Sequence, residues 1–480
     1  MSFRLLNSSL ILLIGILIIT LHIYFTPFSI WTAGVSRPWL IINGFLPYRD
    51  FIWIRMPLDL FILSFWYQLF GVSSSSYQMF VFVLLLIEMS LIFFANKLFT
   101  THIRSFAIIF FILFLFPLFM NTEEGEILIG IFSLLLGIAG FNYFKRPRSY
   151  LLIISGFLAG ICLILKQNTI FAFLVLPASL VLEALIMKRQ LYYALTKISI
   201  YIFVALIPYI LIVIYHLMNN GLYDFFYYTI LILGPYRNEN SIVQGDGLLI
   251  IIGYISLLIP FLIFWKKTNL KPSMVIFLSG LIIALFLSVL PSFLSYRTFT
   301  AYGLISVVAG YDIYLFRKQG NDPGLLVRRI IIILSFVFFV IIIYPFIHSY
   351  TTSLKDNGIA PGQLITDYSN EEYEIVNWLK NNTTKQDRIL NYGSEMIYVL
   401  ADRFPPNKHL LPFPFELMPF ERTAKIFIDN PPKFVIDDIY IPRDHPGIEK
   451  WPFMAFLHSD KYRLVKRYGD RLVLYQYNEE

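Results

Sequence analysis

The chain has 480 residues, of which 57% are hydrophobic, 18% aromatic and only 14% charged, with a mean hydropathy of +0.67. A soluble domain carries about 25% charged residues, so a globule that is water-soluble throughout is excluded. The net charge of +7 is not a nucleic-acid signal, because the cations sit in short clusters between apolar runs, the distribution that orients membrane proteins.

Apolar runs of roughly 18 or more residues read as transmembrane helices. The sequence predicts about eleven of them, near 8–26, 78–98, 105–120, 127–144, 150–165, 169–187, 198–217, 248–265, 273–290, 298–316 and 330–349. No A-x-A-like cleavage site follows the first run, which is therefore read as a retained span. The single Cys162 lies in an apolar run, so neither an internal disulfide nor a cysteine metal site is available. Cations recur in every second loop: Arg4, then Lys97 and Arg104, then Lys145, Arg146 and Arg148, then Lys188, Arg189 and Lys197, then Lys266, Lys267 and Lys271, then Arg317, Lys318, Arg328 and Arg329. The positive-inside rule makes these loops cytoplasmic. The opposite loops are 27–77, 121–126, 166–168, 218–247, 291–297 and everything after 350. This alternation requires that 57–71 (PLDLFILSFWYQLFG) does not span. The segment is short of the roughly 20 residues needed; it begins at Pro57, carries Asp59 and ends at Gly71, as a re-entrant or interfacial helix would. If it spanned, the charge bias of every later loop would invert.

From 351 onward acids become common and no run is long enough to cross a bilayer. Ser369 to Glu372 is a capping-box pattern that opens a helix through Trp378 and Leu379. Arg388 to Tyr392 and Lys433 to Ile436 read as strands. Glu416 to Ile428 reads as a helix stopped by Asn430-Pro431-Pro432. Tyr462 to Tyr468 and Arg471 to Tyr477 read as a hairpin turning at Gly469-Asp470. The alternation predicts a small α/β domain over 351–480, following a membrane domain over 1–350.

Six places offer chemistry. The first outer loop holds Arg37, Arg49 and Arg55, cations on the side the charge rule disfavours, with Asp50 as the only acid between Gly44 and Pro57. Guanidinium groups bind phosphate through paired donors; pairing with lipid headgroups, or with Asp50 and Asp59, is the alternative. Trp31, Trp39, Tyr48 and Trp53 are amphipathic aromatics suited to the membrane interface. Glu123, Glu124 and Glu126 at a membrane boundary offer a general base, a divalent-cation site or a solvated cap. Lys166, in Lys166-Gln167-Asn168 on the outer side, either contacts a phosphate or snorkels. The loop 218–247, with Tyr223, Asp224, Tyr227, Tyr228, Tyr236, Arg237, Glu239 and Asp246, has the tyrosines and acids that sugar-binding surfaces use. Tyr296, Arg297 and Tyr302 open a late span, and Arg297 is a further phosphate candidate. Glu88 lies within a span, where a helix–helix hydrogen bond and a functional carboxyl are equally good readings. No two histidines have metal-ligand spacing.

Three stretches together resemble the GT-C superfamily of membrane glycosyltransferases, in particular its family 39-like members related to protein mannosyltransferases and aminoarabinose transferases. Gly44-Phe45-Leu46-Pro47-Tyr48-Arg49-Asp50-Phe51, with Met56-Pro57-Leu58 and a terminal Phe70-Gly71, is similar to the first outer loop of that family. Glu124 and Glu126 resemble its second acidic loop. Gly156-Phe157-Leu158-Ala159-Gly160 through Lys166-Gln167-Asn168 resembles its G-x-x-x-G…K-x-x stretch. The resemblance covers about residues 8–310, and many members carry a soluble outer domain. It implies a polyprenyl-phosphate sugar donor, a lipid, glycan or protein acceptor, a base from an outer loop, cations for the leaving phosphate, and inversion at the anomeric carbon. Members usually place an acid early in the first outer loop; here Pro27 to Gly34 contains none, so Asp50 or a glutamate of 123–126 must take that role or transfer is lost.

The expected protein is an all-α polytopic membrane protein with a small C-terminal extracytoplasmic α/β domain. Asp50, Glu124 and Glu126 are the catalytic candidates. Arg49, Arg55, Lys166, Arg297, Tyr296 and Tyr48 are the substrate-binding ones. Glu126 is a supporting acid or weak metal ligand, and no cofactor beyond that cation is implied. A lipid-linked sugar flippase or a polysaccharide polymerase is the competing function; the paired broken helices of a transporter are not visible.

Overall fold

A computed structural model describes residues 10–20, 28–30, 33–95, 104–115, 124–188, 190–231, 245–265, 270–288, 299–317, 325–356, 364–366, 370–392, 394–406, 420–438 and 452–478. The chain divides into two compact units. A helical unit comprises Met1–Phe28, Gln78–Tyr215 and Ser241–Leu364; an α/β unit comprises Ser29–Tyr77, His216–Asn240 and Ile365–Glu480. Residues 29–77 and the start of the loop after residue 216 thus pack with the C-terminal residues, although some 300 residues of sequence separate Tyr77 from Ile365.

Among the described residues of the chain, four helices are long and apolar enough to cross a membrane: Ser74–Ala95, Glu124–Lys145, Gln167–Ile186 and Leu191–Met218. Other predicted spans coincide with shorter apolar helices, including Leu10–Thr20, Ser149–Leu165, Leu249–Phe264 and Pro272–Leu287. Glu124–Lys145 is the central one, with 78% of its apolar window buried, against 17% for Leu191–Met218. The latter leaves Phe203 72% and Leu211 60% exposed. A helix that is apolar all round and open on one side suits a hydrocarbon solvent. Two glycines permit a close approach of helix backbones. A Cβ on Gly156 would sit 2.7 Å from the Tyr201 carbonyl oxygen, and one on Gly160 would collide with that of Ala205. The G-x-x-x-G spacing therefore lets Ser149–Leu165 lie directly on Leu191–Met218. Lys145, Arg146 and Arg148 are exposed at one helix end. There the Lys271 ammonium donates to the Phe144 carbonyl at 3.0 Å, which complements the negative end of the helix dipole.

The short strands β1 (Phe28–Ile30) and β2 (Leu364–Thr366) pair with each other. The main sheet contains β3 (Ile389–Asn391), β4 (Phe434–Asp438), β5 (Tyr462–Tyr468) and β6 (Leu472–Tyr477), in the order β3-β4-β6-β5. β3 and β4 run parallel; β4, β6 and β5 are antiparallel neighbours. Alternation distributes the core to both faces. Ile389, Phe434, Ile436 and Leu474 meet Ile375, Val376 and Leu379 of the helix Asn370–Asn382, whereas Leu390 and Val435 meet Phe427, Phe453 and Leu457. The predicted hairpin forms with Gly469 at φ +54 in its turn. The predicted helix over 416–428 is described from Phe420 to Asp429.

The segment read as non-spanning is the helix Leu58–Phe70, 13 residues long. At 1.5 Å per residue this is about 20 Å, too little for a core of roughly 30 Å. Trp66 anchors its far end by donating to the Ser76 carbonyl at 3.0 Å.

At the end of β4, burial pushes the Asp437 carboxyl up to about 6; His458 opposes this and the neighbouring Asp438 adds to it. The folded unit therefore holds a proton that the unfolded chain, with an ordinary value near 3.8, releases. This stabilisation is complete below about pH 4 and is lost as pH rises through about 6. Among the described residues, Trp39, Trp53, Trp66 and Trp378 fall in this unit, so tryptophan emission follows its melting. The midpoint should fall between pH 4 and 6.5 in the native chain and fall less in Asp437→Asn; equal slopes would refute the assignment.

Candidate functional site

The first loop of the α/β unit is built around its own backbone. After the helix Ala33–Ile42, Gly44 turns the chain at φ +86. The Asp50 carboxylate accepts from Leu46 N–H at 2.8 Å, and its backbone N–H donates to the Leu46 carbonyl at 2.9 Å. This tight loop holds Tyr48 at φ +69, a left-handed conformation unusual for a large side chain. Such backbone strain persists where surroundings over-determine it, often at functional sites. Here Tyr48 is fully buried, donates its hydroxyl to the Arg55 carbonyl at 2.5 Å, and packs edge-on against His216 and Phe225. Trp53 is also buried and donates to the Met56 carbonyl. The expectation that Trp39, Tyr48 and Trp53 lie at a membrane interface is therefore corrected. The loop closes on itself, so these rings form a protein core; Trp31 lies outside the described residues.

Arg49 and Asp50 form a two-pronged pair, Nε to Oδ1 and Nη2 to Oδ2, each 2.8 Å. Arg49 Nη1 also donates to the Asn219 carbonyl at 3.0 Å. Both Asp50 oxygens are thus engaged, although its side chain keeps 24% exposure. Arg55 is half-buried and lies over the Trp53 ring at 5.9 Å. Arg37 covers the same ring at 4.8 Å and pairs with Glu395 at 3.1 Å, while Ser36 donates its hydroxyl to the other Glu395 oxygen. Arg49 and Asp50 border an open cavity of about 420 Å³, together with Asn43, Phe45, Arg388 and Pro405.

The helical unit carries a second cluster. Glu124 and Glu126 occupy the first turn of Glu124–Lys145, where the helix dipole favours anions. Both are buried, at 2% and 1% exposure. Lys166 caps the C-terminal end of Ser149–Leu165 and donates to Glu126 Oε1 at 2.5 Å. Glu126 Oε2 has no partner among the described residues. One turn further along, Gly130 and Gly303 form a notch for the Glu88 carboxyl: a Cβ on either would stand 3.1 or 2.7 Å from Glu88 Oε1. Among the described residues, no group of three or more His, Cys, Asp and Glu is arranged to hold a metal.

The structure thus gathers Tyr48, Arg49, Asp50 and Arg55 in one loop, and Glu124, Glu126 and Lys166 at two adjoining helix ends. Glu123, Tyr236, Arg237, Glu239, Tyr296 and Arg297 lie outside the described residues. In the tyrosine-rich loop, Tyr223 and Tyr227 stack at 6.0 Å and Tyr228 is buried. Sequence reasoning misses Glu395 and Arg388: the first carries no local signal, and the second reads only as the start of a strand.

Neither a protein-family profile nor a curated protein matches the chain. Solved structures do. The ArnT aminoarabinose transferase of Cupriavidus metallidurans, crystallised with undecaprenyl phosphate, aligns with a TM-score of 0.59 at 12% identity, covering 97% of each chain. Its apo form aligns at 0.56 and 11%, again over 97% of each. The Archaeoglobus fulgidus oligosaccharyltransferase, in complex with Zn and sulfate, aligns at 0.51 and 12%, over 96% of this chain and 72% of that one. At such identities the likeness is one of fold: this chain shares the fold of these two transferases.

Proposed function

We propose that the chain is a membrane glycosyltransferase that moves a hexose or pentose from a polyprenyl-phosphate donor to a lipid, glycan or protein acceptor, with inversion, at the extracytoplasmic face. The observation that carries this reading is the fold likeness, over 97% of both chains, to a transferase that binds undecaprenyl phosphate. About eleven spans would hold the helical unit in the bilayer, with residues 351–480 outside, in keeping with the cation-rich loops on the other side.

In the reaction, the acceptor oxygen attacks the anomeric carbon and the bond to the phosphate oxygen breaks. Its electron pair stays with the polyprenyl phosphate, and the acceptor proton passes to a carboxylate. Asp50 and Glu124 are the two bases to be tested, with Glu126 as a supporting acid. Arg49 and Arg55 in the α/β unit, with Tyr48, or Lys166 and Arg297 in the helical unit, with Tyr296, would balance charge on the leaving phosphate and shape the substrate side. The Arg49–Asp50 pair gives this scheme a trigger: a phosphate that takes the Arg49 fork would release Asp50 to act as base. Lys166, neutralised by Glu126, would similarly have to share its ammonium with the phosphate.

The test is sugar transfer in membranes from labelled polyprenyl-phosphate sugars, comparing the native chain with Asp50→Asn and Glu124→Gln. Loss of a positioned general base costs about 10²–10⁴ in rate, so one of the two variants should fall by that much. Full turnover in both would remove these residues from the mechanism.

A further inference from the structure

The cavity bounded by Asn43, Phe45, Arg49, Asp50, Arg388 and Pro405 contains a cation that the reaction scheme leaves unused. Four other arginines of the α/β unit have hydrogen-bonding partners. Arg37 pairs with Glu395, Arg49 with Asp50 and Arg471 with Asp438, while Arg403 donates to the Ala401 and Thr383 carbonyls. Arg388 has no acid partner among the described residues. Its guanidinium instead lies over two rings, 5.8 Å from the centre of Phe45 and 5.2 Å from that of Phe404. Phe404 is in turn stacked on the buried Trp39 at 5.2 Å. Contact with two ring faces restrains a long side chain that would otherwise be mobile, and leaves its N–H donors available.

The charge balance of the cavity follows. Arg49 and Asp50 cancel each other, so Arg388 leaves it one positive charge in excess. Asn43 spends one side-chain amide hydrogen on the Trp39 carbonyl and retains its own carbonyl oxygen as an acceptor. A volume of about 420 Å³ is within the range of small-molecule sites, about 300–1,000 Å³. We propose that this cavity binds an anionic sugar, with a phosphate or carboxylate on Arg388 and a hydroxyl toward Asn43 and Asp50, and that this sugar is the acceptor. Only its designation as acceptor rests on the transferase reading; the binding does not. The anion can belong to a lipid headgroup or to a free or glycan-borne sugar, since the guanidinium recognises the same oxygens in each.

The experiment is calorimetric titration of the full chain, in phosphatidylcholine nanodiscs, with glucose 1-phosphate and with glucose. Glucose 1-phosphate should bind at least about tenfold more tightly than glucose, and inorganic phosphate should compete. Arg388→Gln should lose about tenfold or more in affinity for glucose 1-phosphate, with Arg388→Lys between the two. Arg388 is exposed, so unchanged tryptophan emission in both variants will confirm that they fold. Equal binding of the two sugars, or native affinity in Arg388→Gln, overturns the proposal. Phosphatidylglycerol nanodiscs distinguish the sources: a weakened apparent affinity there assigns the anion to a lipid headgroup, and an unchanged one to a sugar. If Asp50→Asn and Glu124→Gln both keep full turnover while glucose 1-phosphate still binds through Arg388, the base assignment fails and the anion site stands.

Discussion

Replacing Glu395 by alanine is expected to destabilise the α/β unit by roughly 3–5 kcal/mol, the range for removing one partner of a buried ion pair. The Glu395 side chain is wholly buried and that of Arg37 only 14% exposed. The loss would remove the Glu395 carboxylate from the guanidinium and the acceptor from the Ser36 hydroxyl. The stacking of Arg37 on Trp53 survives, but at about 0.5–2 kcal/mol it does not compensate. Glu395→Gln keeps an acceptor for Ser36 and should cost less. The measurement is the thermal midpoint of tryptophan emission. An alanine variant that melts like the native chain would show that the pair contributes nothing. Arg37→Met combined with Glu395→Leu, which removes both charges, should be milder than Glu395→Ala if the unpaired charge is what costs.

Lys166→Met should be the most damaging single change in the helical unit. It would strand the Glu126 carboxylate, 2% exposed at the side chain, with one oxygen already lacking a partner among the described residues. The same principle sets the cost at roughly 3–5 kcal/mol. Part of this loss is avoided if Glu126 takes up a proton. The double variant Lys166→Met with Glu126→Gln should therefore recover stability without recovering transfer. Recovery of both would make the pair a structural element alone. A double variant no more stable than Lys166→Met would mean that Glu126 is not the group stranded. Detergent-solubilised thermal aggregation supplies the stability scale, and the transfer assay supplies the other.

These two pairs show how differently the parts of the site could be read beforehand. Asp50 and Arg49 are neighbours, and pairing between them was one of two open readings of the loop. Glu126 and Lys166 are 40 residues apart; both were picked out by charge at a membrane boundary, but nothing local joined them. Ser36 and Glu395 are 359 residues apart. Glu395 resembles any other acid of an α/β domain until the fold closes around it. Arg388 was similarly silent, because its environment is made by Phe45 from one end of the chain and Phe404 from the other.

The sequence by itself determined what depends on short-range pattern. Apolar run length requires a bilayer for much of the chain. The helix Leu58–Phe70 is too short to span, as Pro57 and Gly71 bound it. The alternation around Gly469-Asp470 specifies a hairpin, and helix–strand order specifies an α/β unit. Each of these follows from hydrogen bonding and hydrophobic periodicity over a few turns of chain. Only the tertiary structure decided that residues 29–77 pack with the C-terminal residues, that Tyr48 and Trp53 form a core, and that Arg388, beside Arg49 and Asp50, has no acid partner among the described residues. Those outcomes depend on which side chains meet after long loops close. The closure cost grows only slowly with loop length, so sequence separation neither forbids such meetings nor announces them.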